Sequence, residues 1–510
     1  MAYNSKTIAK NTASLYVRTI IVLLISLYTS RVFLDALGVI DFGTYSAVGG
    51  VVGMISFLNS TLAAATSRYL TFELGKGDTE RLKKTFNVSL SVHILLILFI
   101  VLILETIGLW YINNKLNLPD PNMTVVNIVF QLSVLACVFQ IFVIPFNASI
   151  IAHEKMNVFA LIGIMDAVLK LIIAFAIYHS PINRLVFYSG LLLGITIIDA
   201  IVYVIYCKTK FEECTIKLCF DKKILRPMLV FSGWGFYGNF SVVVRNQGLV
   251  LIQNSFFGPI VNAATTISNQ VMTAIMGFVD NFTTAVKPQI IKQYAQGAVS
   301  DFNNLVVKAS KYSFLLLLFI SMPVMAETDF LLNVWLKEVP DWAVIFCQLS
   351  IANNWISILF RPLQTAIDAT GVAKYSALVN GSIYLLTLPL SYFFLKLGGT
   401  PVVPLIINIV LLFIGHSFGT INIIRYLIPT FDVKAFLRES FLPAFYITLI
   451  AAIPPFLINF FMDEGWVRFL IDCGVTIIWI GIIIYFMALK QSERARLGDY
   501  VGKVLHKRPL

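Results

Sequence analysis

Charge is scarce in this 510-residue chain: Lys, Arg, Asp and Glu make up 13% of it, about half the share of an ordinary soluble domain. Length alone would allow about three soluble domains. The shortage of charge, beside 58% hydrophobic residues and a mean hydropathy of +0.83, excludes them. Several chemistries are missing as well. No GxxxxGK[ST] sequence is present, and Gly75-Lys76-Gly77-Asp78 lacks the preceding strand that a phosphate loop requires, so ATP hydrolysis by such a loop is excluded. HExxH and GxSxG are absent, and His93, His153, His179, His416 and His506 have no ligand spacing. Cys137, Cys347 and Cys473 lie in apolar runs, as small buried residues do. Cys207, Cys214 and Cys219 surround one basic loop without CxxC pairs or a histidine, and read as reduced thiols rather than zinc ligands. No metal site, no cofactor and no catalytic residue is expected. The two-residue alternation of outer-membrane barrel strands is also missing.

What is there is a series of long apolar runs. They divide into fourteen spans near 12–34, 38–62, 85–110, 123–150, 156–178, 184–207, 227–253, 259–285, 310–332, 341–366, 373–396, 401–427, 435–462 and 466–489. Each reaches the roughly 20 residues that a bilayer crossing takes. The fold class expected is therefore an all-α polytopic membrane protein of about fourteen transmembrane helices. The first span is too long for a cleavable signal and reads as an uncleaved anchor. An even number of spans puts both termini on one side. Lys115, Arg184, Lys337, Lys396 and Arg468 fall in the loops of the other side, and Arg18, Arg31, Lys170, Arg245 and Arg361 fall within spans. The rest of the 38 Lys and Arg lie on the side of the termini, which the positive-inside rule makes cytoplasmic. The net charge of +11 is thus a topology signal beside an anionic leaflet, and nucleic acid is not expected as a partner.

The stretch from Asn11 to Tyr45 sets the architecture. It carries Thr12, Thr19 and Ser26 at seven-residue spacing, near one helix face, followed by an expected turn at Leu37-Gly38. A shift of 220 residues pairs that line with Ser232, Asn239 and Asn246, Gly38 with Gly258, and Gly77 with Gly297. A shift of 217 aligns Pro145 to Leu161 with Pro362 to Leu378. Two distant segments with nearly the same offset point to an internal repeat: an N-lobe at 11–210 and a C-lobe at 226–428, six helices each. Six is even, so the lobes are parallel repeats, a transporter design. Helices thirteen and fourteen, 434–490, lie outside the repeat, and 491–510 form a basic cytoplasmic tail.

Outer loops are short, which leaves intramembrane polarity as the place for function. A charge at membrane depth costs several kcal/mol, so it faces a cavity or a partner. Arg245 lies deep in the seventh span beside Asn246 and Gln247, on a helix that also carries Asn239, Gln253 and Asn254. It is the leading candidate for a cavity-facing cation. Arg18 either snorkels to headgroups or lines the cavity. Arg31 either pairs with Asp35 at i+4 or does the same. Arg361, before Pro362, snorkels or lines the cavity floor. Thr19 and Ser26 join Asn239, Asn246, Gln247 and Gln253 as candidate polar lining. Asp166 and Lys170, at i,i+4 in the fifth span, form either a buried structural pair or a proton- or sodium-responsive site. Asp199, Asp280 and His416 are further groups of that kind, while Asn269 and Gln270 read as interhelical hydrogen-bonding groups. Cations outnumber anions among these candidates, which favours an anionic substrate. The planar arginine fork suits phosphate.

Arg31-Val-Phe-Leu-Asp-Ala-Leu-Gly38 with Phe42-Gly43-Thr44-Tyr45 resembles the opening of the polysaccharide-transport family, the O-antigen and capsule repeat-unit flippases of the multidrug/oligosaccharidyl-lipid/polysaccharide exporter superfamily. Ser67-Arg68-Tyr69 with Gly75-Lys76-Gly77-Asp78, and Ala369-Thr-Gly-Val-Ala-Lys-Tyr375, are similar to that family too. The resemblance implies a MATE-like V of two six-helix bundles working by alternating access. The implied cargo is an undecaprenyl-pyrophosphate-linked oligosaccharide, carried from the cytoplasmic to the periplasmic leaflet of the bacterial inner membrane for O-antigen, capsule or exopolysaccharide assembly. Arg245, Arg31, Arg18 and Arg361 are the positions able to supply the cationic lumen that the family implies. Membrane lipid, H+ or Na+, and a polysaccharide polymerase are the expected partners. The alternatives are a cation-coupled multidrug exporter, a lipid II flippase and, from another class, a membrane polysaccharide polymerase or glycosyltransferase. The last expects a large outer loop with a catalytic cluster, which the sequence does not have.

Overall fold

The structure, a computed structural model, describes residues 5–53, 56–114, 122–257, 259–336, 339–489, 491 and 493–494. No β-strand occurs among them. The long helices are α1 (Ser5–Gly53), α2 (Ser56–Lys76), α3 (Thr79–Asn114), α4 (Met123–Ala152), α5 (Met156–His179), α6 (Arg184–Lys210) and α7 (Lys222–Phe257). They continue as α8 (Pro259–Ala295), α9 (Val299–Ala326), α10 (Ala343–Ala369), α11 (Ala373–Lys396), α12 (Val403–Leu427), α13 (Val433–Phe461) and α14 (Trp466–Ala488). A short helix, Thr328–Trp335, follows α9. Among the described residues, 10 helices are long and apolar enough to cross a membrane. α1, α2, α7 and α8 are the other long ones. The all-α polytopic class expected from composition is the class observed.

The start of the chain differs from expectation. No helix break occurs near Leu37 and Gly38; α1 runs on for 49 residues to Gly53. The second long helix begins at Ser56, not near residue 38. No proline falls between Asn11 and Gly53. An isolated glycine costs about 1 kcal/mol relative to alanine but leaves the hydrogen-bond ladder intact. Hydropathy and turn residues suggested two elements where the backbone has no reason to stop.

Other ends are fixed by local chemistry. Asp78 accepts from the Arg81 amide at 2.9 Å and opens α3. Asn122 opens α4 and Asn183 opens α6 in the same way. Asp432 accepts from the Ala435 amide at 2.9 Å and opens α13. Such caps satisfy amides that the first helical turn leaves free. Two turns need the left-handed region. Gly77 (φ 75°) ends α2 and Gly297 (φ 67°) ends α8, the same two glycines that a shift of 220 pairs. Glu154 (φ 58°) and Gly371 (φ 84°) are related by the shift of 217 and share that conformation. Pro145 in α4 and Pro362 in α10, paired by the same shift, both lie inside helices. α3, α12, α13 and α14 each carry a π turn, a widening often found at functional positions.

The chain divides into two compact units. The first comprises Met1–Phe240, Thr284–Ala298 and Asp368–Ala377. Its core is built around Phe86 of α3 and Phe146 of α4, edge to face at 5.3 Å, with Leu90, Ile150 and Cys207 fully or almost fully enclosed. Phe33, Tyr45 and Tyr188 make a second aromatic cluster there. The second unit comprises Ser241–Thr283, Val299–Ile367 and Leu378–Leu510. In it α9 is largely enclosed, and Phe360, Phe436 and Phe441 form its aromatic centre. Large apolar side chains such as Leu98, Leu102, Ile107, Phe445, Phe456, Phe460 and Phe461 point outward. Water would not tolerate so much contiguous apolar surface, and hydrocarbon would. In that solvent burial of leucine gains little, so close packing and hydrogen bonds between helices hold each unit together by itself.

Candidate functional site

In the second unit, Arg245 of α7 is the centre of a polar cluster. Its Nη1 donates to Asn408 Oδ1 of α12 at 3.1 Å. Asn408 Nδ2 in turn donates to Asn353 Oδ1 of α10 at 2.7 Å. The Arg245 Nε and Nη2 both donate to Asn246 Oδ1, at 3.2 and 2.7 Å. The guanidinium lies over the Tyr384 ring of α11, 4.7 Å from its centroid. Every partner named here is neutral. The cation is therefore oriented by amides and an aromatic face while keeping its full charge, the condition for binding an anion.

Other predicted cations are arranged differently. Arg361 of α10 forms an ion pair with Asp280 of α8, so its charge is compensated. Arg18 of α1 packs on α5, 4.7 Å from the Phe159 centroid, and its buried Nε has no hydrogen-bond partner. It crosses α5 at Gly163, where an added Cβ would stand 2.2 Å from the Arg18 Nε. The side chains of Arg31, its expected partner Asp35, Gln247 and Asn254 lie outside the described residues, as does nearly all of the 491–510 tail.

The predicted polar lining divides in the same way. Asn246 belongs to the Arg245 cluster. Asn239 donates to Thr61 Oγ1 at 2.8 Å, tying α7 to α2 within the first unit. Gln253 is 3% exposed and donates to the Pro401 carbonyl at 3.3 Å, while its Oε1 accepts from Thr265. Its amide serves packing. Thr19 is half-buried and Ser26 exposed on α1.

In the first unit, Lys170 Nζ donates to Asp166 Oδ2 at 2.8 Å on α5. Asp199 of α6 has a buried carboxyl oxygen without a hydrogen-bond partner. His416 is buried on the π turn of α12, stacked on Phe360 at 5.2 Å and bonded to Thr420 at 3.1 Å, an internal packing role. Asn269 and Gln270 of α8 are exposed.

Sequence reasoning missed Asn353, Asn408 and Tyr384. For the two asparagines a signal was present: amides in the middle of apolar runs. It also missed what joins two of the family-like motifs. Arg68 is 4% exposed and donates to the carbonyls of Asp368 at 3.2 Å and Ala369 at 2.6 Å. Its guanidinium stacks on Tyr69 and Phe72, and Gly371 leaves the space it occupies. Gly75 allows α2 to reach α8, since an added Cβ would lie 2.8 Å from Ala295 Cβ. Nearby, Glu154 pairs with Lys292 and Gln289 of α8.

No protein-family model and no curated protein sequence matches the chain. Solved structures do match in shape. A crystal structure of a MATE point mutant superposes with a TM-score of 0.68 at 15% identity, over 83% of this chain and 96% of that one. A multidrug resistance MATE family transporter of the MOP superfamily, in an outward-facing conformation, gives 0.66 at 15% identity over the same shares. A MOP superfamily transporter from Pyrococcus furiosus, described as having a binding pocket of reversed polarity that suggests a different function, gives 0.63 at 14% identity over 82% and 96%. Identity this low speaks for fold alone, and on that ground the chain has the all-α, multi-pass MATE-like fold.

Proposed function

We propose that this chain is a membrane transporter that flips an undecaprenyl-pyrophosphate-linked oligosaccharide from the cytoplasmic to the periplasmic leaflet of the bacterial inner membrane by alternating access. The observation that carries this reading is Arg245: a guanidinium fixed by Asn246, Asn408 and Tyr384, with no carboxylate among those partners. A pyrophosphate offers it the negative charge that those partners lack. The adjoining amides, down to Asn353, suit sugar hydroxyls. Arg18, in the first unit, has a buried Nε without a hydrogen-bond partner and is a separate candidate cation. An anion leaving an inside-negative cell gains about 2.3 kcal/mol per charge per 100 mV, so flipping needs no ATP. Both termini are proposed to be cytoplasmic, and a polysaccharide polymerase to take over the product. A lipid II flippase has the same pyrophosphate chemistry and belongs to the same reading of the site.

One observation favours a second reading. Asp166 pairs with Lys170 within the fifth long helix and Asp199 keeps a buried oxygen without a partner, and intramembrane carboxyl groups of this kind are what a cation-coupled exporter needs. The likeness to a multidrug resistance MATE agrees with it. Binding separates the two. The purified protein in lipid nanodiscs should bind a pyrophosphate-linked lipid in preference to a lipophilic cation, and Arg245→Ala should weaken that binding at least tenfold. Preferred binding of the cation, unchanged by Arg245→Ala, would move the protein to the exporter reading.

A further inference from the structure

A second buried charge cluster lies in the second unit, apart from Arg245. Glu327, at the join between α9 and the short Thr328–Trp335 helix, is fully buried. Arg468 of α14 clamps it with both arms of its fork: Nε donates to Oε1 at 3.0 Å and Nη2 to Oε2 at 2.9 Å. One turn further along α14 comes Asp472, also fully buried. Its Oδ1 accepts from Thr476 at 3.1 Å, and its Oδ2 has no partner.

The charges do not balance. Glu327 and Arg468 neutralise each other, and both donor arms used in the clamp are taken. Asp472 is left as a carboxyl with one weak donor and one empty oxygen in a membrane-spanning helix. A lone buried carboxylate is costly, and such a group takes up a proton or finds a cation. No cluster of metal-ligating side chains occurs among the described residues. The groups placed around Asp472 are Arg468, Cys473 and Thr476 on its own helix, and Glu327 across from Arg468. Glu464 acts on Arg468 from the loop before α14. From α13, Asn459 donates to the Ala326 carbonyl and brings no charge. Asp472 stands at i+4 from Arg468, within reach of the same fork if Glu327 releases it.

We infer that Glu327, Arg468 and Asp472 form a proton-binding site on α14, in which two carboxyl groups compete for one guanidinium and the one that loses carries the proton. In the conformation observed, Glu327 holds the arginine and Asp472 holds the proton. Loss of that proton turns Arg468 toward Asp472 and leaves Glu327 to take up a proton in its place. Arg468 and Asp472 lie beyond the two expected six-helix repeats, Glu327 lies within the second of them, and the site does not depend on what Arg245 binds. Its switch would be felt at Phe330 of the short helix, which packs edge to face on Trp466 at 5.2 Å.

Infrared spectroscopy of the full chain in lipid nanodiscs tests this. At neutral pH the wild-type spectrum should contain a protonated carboxylic acid band that Asp472→Asn removes, whereas Asp166→Asn and Asp199→Asn leave it in place. Glu327→Gln frees Arg468 for Asp472, and the band should vanish although Asp472 is present. A spectrum identical in wild type and Asp472→Asn would overturn the inference, as would a band that persists in Glu327→Gln. Disappearance of the wild-type band on adding sodium at constant pH would also overturn it, assigning the site to a metal cation instead.

Discussion

Arg245 of α7 and Arg361 of α10 show how one residue type takes opposite roles within the second unit. Arg361 meets Asp280 and becomes half of a neutral pair. Arg245 meets Asn246, Asn408 and Tyr384 and keeps its charge. Hydrogen bonds to a charged group contribute about 1.5–3 kcal/mol each. Arg245→Lys keeps the charge but not the two-armed contact, and is expected to bind a pyrophosphate lipid with an affinity between wild type and Arg245→Ala. Asn408→Ala should weaken binding less than Arg245→Ala, because it loosens the guanidinium without removing it. Isothermal titration of the three variants checks that order. At Gly163 the argument is steric. A methyl group there meets Arg18, so Gly163→Ala should lower stability by about 1–3 kcal/mol, and the double change Arg18→Ala, Gly163→Ala should recover part of it. Thermal unfolding in detergent reads both. Arg245 was legible from the sequence, since an arginine among amides deep in an apolar run has few other uses. Of the surrounding cluster Asn246 was legible as well, but Asn353, Tyr384 and Asn408 were not, because they sit more than 100 residues away and only the fold assembles them.

At the scale of elements, what could be read depended on local chemistry. Asp78, Asn122, Asn183 and Asp432 are capping residues at the starts of helices, and a capping residue acts within its own turn. The shift of 217 relates Glu154 and Gly371, which differ in type yet share a left-handed backbone. α1 was misread because hydropathy marks where a chain suits lipid, not where its hydrogen-bond ladder ends. Gly371 is under two constraints, a φ of 84° and a Cβ position 2.9 Å from the Arg68 Nη2. A non-glycine residue in that region costs about 1–2 kcal/mol before any clash. Gly371→Ala should therefore destabilise the protein by about 2 kcal/mol or more, and more than Gly77→Ala, where open space surrounds the added methyl. The difference between the two melting temperatures is the measurement.

For the whole molecule, the low charge and long apolar runs were enough to give the all-α membrane class, and the superpositions at 15% identity or less show how little of that fold depends on particular residues. Cargo is another matter. It depends on a few polar side chains, and the buried trio Glu327, Arg468 and Asp472 was invisible in sequence because Arg468 looked like an ordinary loop cation beside the last span. The most direct test of the proposed role is made in cells of the source organism lacking this protein, by measuring lipid-linked oligosaccharide and its access to a periplasmic enzyme. The expected result is cargo trapped on the cytoplasmic face, released by wild type and not by Arg245→Ala expressed at the same level. Normal surface glycan in the absence of the protein, together with altered drug tolerance, would contradict the flippase reading.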